Sequence, residues 1–215
     1  MPLSCIVFDC DGVLLESVNV KTEAFARVAE PFGADARDRL VAYHMEHGGV
    51  SRYKKFEWLF SEVLGREITS DEMDELGRKY ADYAFEGVLN APMVPGAHDV
   101  ITAWHGRVPL YVCSGAPHEE LVHILTERGL ARYFEAIYGS PPGKTDVLRR
   151  AVEKAAVPPA EVVMVGDAKT DMTAAEAVGT LFYGRGEAFA ATPHPWGHDL
   201  TGLNAWLEGI AREPS

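Results

Sequence analysis

Short apolar runs stand out against a polar background at Ser4–Phe8, Val108–Cys113, Ala136–Tyr138, Val162–Val165 and Leu181–Tyr183. Runs of this length, bounded by turn residues, predict strands buried on both faces. Between the later runs, apolar residues recur at helical spacing over His118–Glu127, Lys144–Ala155 and Thr170–Val178. Strands alternating with helices predict a mostly parallel sheet joined by right-handed crossovers. A long helical stretch separates the first strand from the second. It runs from Ser17 to about Asn90 and breaks at Gly33, Gly48-Gly49 and Gly65, with Ser51 and Ser70 as the expected N-caps. This predicts a four-helix insertion, closed by the rigid return Pro92-Met93-Val94-Pro95-Gly96. The expected fold is α/β: a doubly wound parallel sheet over residues 1–16 and 91–215, with an inserted helical domain over 17–90. Thr192–Trp196 reads as a surface loop and Leu200–Ile210 as a closing helix, while Trp58, Trp104, Trp196 and Trp206 read as packing residues.

Polar residues gather where these strands end. Asp9-Cys10-Asp11-Gly12 follows the first strand, Ser114-Gly115 the second, Gly143-Lys144 the third, and Gly166-Asp167, with Asp171 four residues on, the fourth. Ligands of open parallel sheets bind outside the carboxyl ends of the strands, so all four segments should border one crevice. Each has an ordinary explanation when taken alone. Asp-Gly marks turns, serine caps helices, lysine at a helix start faces water, and an acid in a first helical turn complements the dipole. Their joint occurrence, in order and each at a strand end, points to a site.

Charge narrows the chemistry. Twenty Lys and Arg against 32 Asp and Glu leave a net charge of −12, which disfavours nucleic acid and anionic membranes as partners. Carboxylates collected in one crevice repel each other and any anionic ligand unless a divalent cation lies among them. Magnesium suits such oxygen donors, with Asp9 and Asp167 as direct ligands. No apolar stretch approaches the roughly 20 residues of a membrane-spanning helix. The start at Met1 shows no basic segment followed by an apolar one, so export is not expected. Three cysteines, Cys5, Cys10 and Cys113, form neither a disulfide framework nor a CxxC metal motif, which suggests a reducing cytoplasm.

The set DxD, Ser, Lys, GDxxxD, in that order, resembles the haloacid-dehalogenase-like phosphohydrolase superfamily across nearly the whole chain. The position of the insertion resembles the helical cap of the phosphoglycolate phosphatase and β-phosphoglucomutase branch. The resemblance implies that the main-chain carbonyl of Asp11 is a further metal ligand and that Asp171 orients metal-bound water. The chemistry of the residues is consistent with it. An ionised Asp9 can attack phosphorus without a base and form an aspartyl phosphate. Asp11 can protonate the leaving alcohol and then activate the hydrolytic water. Ser114 can bond a phosphoryl oxygen, Lys144 can balance charge in the transition state, and Gly12 and Gly115 allow backbone N–H groups close to the phosphate. Within the superfamily an Asp at the position of Asp11 favours phosphate esters over halide or phosphonate chemistry.

The sequence departs from the family pattern at two places. The lysine segment reads Gly143-Lys144-Thr145-Asp146 where Gly-Lys-Pro is usual, and Lys21 stands near where many relatives carry a histidine. In the insertion, Phe56, Leu59, Phe60 and Val63 form an apolar stripe, whereas Arg52 and Lys55 in the same helix's first turn make a candidate anion site. Its Gly-Val-Ser-Arg run resembles the β-phosphoglucomutase cap, so Arg52 is expected to hold a second anionic or polar group of the substrate. His44, His47 and Lys169 receive no role from spacing, although Lys169 is expected to face solvent. The expected protein is a magnesium-dependent phosphatase of a small phosphorylated metabolite, a monomer or homodimer. The rivals are a phosphomutase with the same residues and a non-catalytic phosphate-binding or signalling protein.

Overall fold

The computed structural model describes residues 3–212; Met1, Pro2 and the last three residues, on which parts of the expected sheet domain fall, lie outside it. Strands β1 (Cys5–Phe8), β2 (Leu110–Pro117), β3 (Ala136–Ser140), β4 (Val162–Gly166), β5 (Leu181–Arg185) and β6 (Trp196–Gly197) form one parallel sheet in the order β3-β2-β1-β4-β5-β6. Winding proceeds outward in both directions from β1, so the switch point lies between β1 and β4, where a doubly wound sheet opens a crevice.

Helices follow in chain order: α1 (Val18–Ala29), α2 (Ala34–Glu46), α3 (Arg52–Trp58), α4 (Ser70–Asn90), α5 (Ala97–Trp104), α6 (His118–Glu127), α7 (Lys144–Ala155), α8 (Lys169–Val178) and α9 (Leu203–Arg212). The two-residue alternation of β1 sends Ile6 and Phe8 to one face and Cys5 and Val7 to the other. Helices α5, α6 and α9 cover the first face through residues such as Ile101, Leu125 and Leu207; α7 and α8 cover the second through Val147, Leu148 and Ala175. Burial on both sides explains why β1 and β4 read as unbroken apolar runs. Helices α1 to α4 lie between β1 and α5 in sequence, with α1 packed on α2 and α4. Their apolar faces, including Phe25, Leu40, Phe56, Leu59 and Phe60, are continuous with the core of the first face.

Several boundaries differ from the sequence expectation, each for a local reason. Helix α4 is capped by Thr69 rather than Ser70: Thr69 Oγ1 accepts from the Glu72 N–H at 3.3 Å, and Glu72 accepts from the Thr69 N–H at 3.0 Å. Ser51 does precede α3, but its side chain makes no cap bond. Helix α5, for which the sequence pattern predicts no element, follows directly on the rigid return, with Ala97, Val100, Ile101 and Trp104 buried on one face. Val108 belongs to the turn that closes α5, its N–H bonding Trp104 O, so β2 starts later than expected and continues past Ser114. The loop expected through Trp196 ends in β6, which pairs Trp196 with Gly184. Helix α9 starts at Leu203, after a turn in which the Leu203 N–H bonds Leu200 O. Trp104 is buried, with Nε1 donating to Asn204 Oδ1 at 3.0 Å, and Trp58 stacks on Tyr43, in keeping with packing roles.

Candidate active site

The residue after β1 is Asp9, whose N–H bonds Val165 O on β4, placing it at the switch point. Asp9 is 3% exposed; Oδ1 accepts from the Cys10 N–H at 2.7 Å and Oδ2 from Lys144 Nζ at 2.5 Å. Lys144 is the first residue of α7, but its chain turns inward and its ammonium also bonds Asp171. Ligand oxygens of Asp9, Asp167 and Asp171 lie within 4.8 Å of one another. Burial pushes the Asp9 pKa up to about 7, against the lowering pull of Lys144, and the charge of Asp171 adds to the rise. Asp167 is pushed well above its ordinary value by burial and by Asp9. Burial opposes the charge of Lys144, yet Asp171 and Asp9 outweigh it and hold the lysine well above its usual range. Three carboxylates against one ammonium leave excess negative charge in a place water barely reaches, and the donors are all hard oxygens. That donor set fits Mg²⁺.

Asp11 sits in a tight turn in which the N–H groups of Val13, Leu14 and Leu15 all bond Cys10 O. Ser17 Oγ donates to Asp11 Oδ1 at 2.6 Å, and Lys21 bonds Oδ2. Burial works against its charge, but Lys21 and Ser17 prevail and hold the Asp11 carboxyl below the usual range. Gly12 makes the turn possible at φ +73°; a Cβ there would lie 2.0 Å from Asp167 Oδ2. Ser114, at a register shift in β2, accepts the Ala116 N–H on Oγ at 3.1 Å and lies 3.5 Å from Asp11 Oδ2.

The insertion closes over these groups. Gly48 O accepts from Thr170 Oγ1 at 2.8 Å, and a Cβ on Gly115 would meet Gly49 O at 2.3 Å. Beneath lies a cavity of about 370 Å³ bordered by Asp9, Asp11, Ser114 and Asp167 from the sheet and by Lys21, Phe25, His44, Arg52, Lys55 and Tyr80 from the helices. Gly115 also borders it, and Lys169 reaches its rim while remaining exposed.

Arg52 and Lys55 both border the cavity but turn to different partners. Arg52 pairs with Glu120 on α6 and lies 4.5 Å over the Tyr80 ring. Lys55 is buried, with Nζ 2.8 Å from His44 Nδ1. Burial, then the nearby charge of Lys55, lowers the His44 pKa to about 3. His47 lies outside the cavity lining, its Nδ1 3.0 Å from Tyr43 O and its ring stacked on Tyr43. Spacing assigned no function to Ser17, Phe25, Tyr80 or Glu120. Tyr80 shares a helical face with Ala84 and Val88 and so reads as core, while Glu120 reads as a first-turn dipole partner.

The low His44 pKa has a consequence for stability. Between pH 6.5 and about 3 the unfolded chain carries a proton on His44 that the folded chain excludes, so stability falls as pH drops through this window. At 1.36 kcal/mol per pH unit, His44→Gln should gain about 2 kcal/mol relative to wild type between pH 7.5 and pH 5. Urea denaturation at the two pH values checks this; an unchanged difference would remove the assignment of a neutral His44.

Comparison with known proteins agrees with this architecture. The family model described as haloacid dehalogenase-like hydrolase matches residues 3–179. A phosphoglycolate phosphatase of Photobacterium profundum is 27% identical over 185 residues, covering 80% of this chain and 78% of its own. The fructose-1-phosphate phosphatase YqaB of Escherichia coli is 23% identical over 181 residues, covering 81% and 92%. Among solved structures, a β-phosphoglucomutase from Clostridium difficile superimposes with a TM-score of 0.80 at 15% identity, covering 98% of this chain and 97% of that one, a likeness of fold. With the family model spanning most of its length, the chain belongs to the haloacid dehalogenase-like hydrolases.

Proposed function

We propose that this hydrolase is a Mg²⁺-dependent phosphatase of a small phosphorylated metabolite, working through an aspartyl phosphate on Asp9. One observation carries the reading: the buried Asp9 carboxylate borders a cavity between the sheet and the helices together with a second carboxylate, Asp11, two residues away. The names of the relatives, phosphatases of phosphoglycolate and of fructose 1-phosphate, support the substrate class.

In this reading residues 17–90 are a cap and residues 1–16 and 91–215 the catalytic core. Asp9, Asp167, the main-chain carbonyl of Asp11 and, through water, Asp171 would hold Mg²⁺, which supplies positive charge that keeps Asp9 ionised and offsets the phosphoryl oxygens. An Asp9 oxygen forms the new bond to phosphorus as the ester oxygen leaves. The proton that Lys21 donates toward Asp11 Oδ2 passes through the Asp11 carboxyl to the departing oxygen, and Asp11 afterwards takes one from the attacking water. Ser114 and the backbone N–H groups beside Gly12 and Gly115 hold non-bridging oxygens, and Lys144 balances the charge of Asp9 and Asp171. The lowered cap excludes bulk water from the intermediate except for the attacking molecule.

The test is phosphate release from a panel of small phosphomonoesters, including phosphoglycolate and sugar phosphates, with Mg²⁺ and after exhaustive chelation. Release should vanish on chelation and return with Mg²⁺. Undiminished release in chelator, or an isomeric sugar phosphate as product in place of inorganic phosphate, overturns the proposal.

A further inference from the structure

Most cations around the cavity already have carboxylate partners. Lys144 holds Asp9 and Asp171, Lys21 holds Asp11, and Arg52 holds Glu120. Lys169 is exposed at the rim. Lys55 differs: it is 2% exposed, and its recorded hydrogen-bond partner is a neutral imidazole nitrogen, His44 Nδ1. An ammonium removed from water without a counter-charge is unfavourable by several kcal/mol. The carboxylate acting on it electrostatically is that of Asp11, whose two oxygens are engaged by Ser17 and Lys21.

His44 deepens the imbalance. Facing an ammonium, Nδ1 must accept, so the ring proton is assigned to Nε2. That Nε2 is buried and has no partner, in a residue 8% exposed whose ring packs 4.6 Å from the Phe25 ring. An ammonium without a counterion and an orphaned imidazole N–H therefore stand side by side in the wall of the cavity that holds Asp9. Burial, then the charge of Lys21, lowers the Lys55 pKa to about 7, as expected of an ammonium still lacking its anion.

We infer that Lys55, positioned by His44, receives a carboxylate carried on the leaving group of the substrate, so that the enzyme favours small phosphorylated hydroxy acids over esters with neutral tails. This rests on the phosphatase reading and deepens it. One ammonium beside a neutral ring offers a single positive charge, which matches a carboxylate and falls short of a second phosphate dianion. Arg52, whose planar fork would suit a phosphate better, is already engaged by Glu120. The second anionic group expected at Arg52 is thus moved one helical turn along α3, to Lys55.

The experiment compares kcat/KM for phosphoglycolate with that for ethyl phosphate and 2-hydroxyethyl phosphate, with Mg²⁺, in wild type, Lys55→Met and Lys55→Arg. A charge-assisted bond contributes on the order of a 10- to 100-fold preference for phosphoglycolate in wild type. That ratio should fall to about one in Lys55→Met, whatever the absolute rates, and survive in part in Lys55→Arg. The positioning role of His44 predicts that the ratio drops in His44→Leu and is largely kept in His44→Asn, whose carbonyl can accept from the ammonium. Equal wild-type values for all three esters, a ratio unchanged in Lys55→Met, or stronger preference for a short alkyl bisphosphate than for phosphoglycolate overturns the inference. Failure of wild type to hydrolyse any ester, p-nitrophenyl phosphate included, counts instead against the phosphatase reading. Calorimetry of phosphoglycolate against ethyl phosphate on Asp9→Asn and on Asp9→Asn combined with Lys55→Met reads the same preference without turnover.

Discussion

Asp9→Asn should abolish phosphate release, with a loss of at least about 10³-fold in kcat, because the amide is a near-isosteric group that cannot attack phosphorus or donate a charged ligand oxygen. The fold should survive. Burial already pushes Asp9 up to about 7, so the folded chain without a cation favours a neutral group at this position. Its thermal midpoint in chelator should therefore be no lower than that of wild type at neutral pH, while the stabilisation given by added Mg²⁺ should shrink. Rapid-quench detection of a phosphorylated protein separates the roles further: wild type should accumulate acid-stable label during turnover and Asp9→Asn none. Substantial residual release, or label retained in the variant, would transfer the nucleophilic role to another residue.

Lys144→Met should lose both activity and stability. The ammonium lies between Asp9 and Asp171 with its side chain 6% exposed, and it is the cation bonded to that cluster. Removing one partner of a buried ion pair costs about 3–5 kcal/mol, moderated here as Asp9 and Asp167 take up protons. Saturating Mg²⁺ should restore much of this stability, since it supplies charge at the same carboxylates. Turnover should stay roughly 10²- to 10³-fold down even with Mg²⁺, the range expected when a group aimed at developing negative charge is lost. Wild-type kcat in Lys144→Met, or a variant as stable as wild type in chelator, would show that Lys144 faces another partner in solution.

Much of this architecture is readable from residue order because its physics is local. A strand covered on both faces shows as an unbroken apolar run, and the crevice lies at strand ends, so Asp9, Ser114 and Asp167 can be located before any coordinates exist. Helices α6 and α7 keep their expected limits, His118–Glu127 and Lys144–Ala155, because each is a regular amphipathic segment. Helix α5 escapes notice because the prolines and Gly96 before it signal a turn more strongly than one short apolar face signals a helix. Strand β6 has two residues, too few for any period. Contacts made across the cavity are legible least. Lys55 precedes the Phe56–Leu59–Phe60 stripe and reads, with Arg52, as one anion site in a helix's first turn. Only the packing of α1 and α2 reveals that it is sealed against His44.

The approach of Gly49 to Gly115 brings two stretches of main chain together with no room for even one methyl group. A methyl group on Gly115 would act as a wedge against the Gly49 carbonyl. If Asp9 carries the phosphoryl group as proposed, the resulting gap would admit water molecules to it indiscriminately. On that reading the bare Cα of Gly115 guards against leakage, and the tightness of one backbone-to-backbone seam sets how faithfully the chamber chooses its nucleophile.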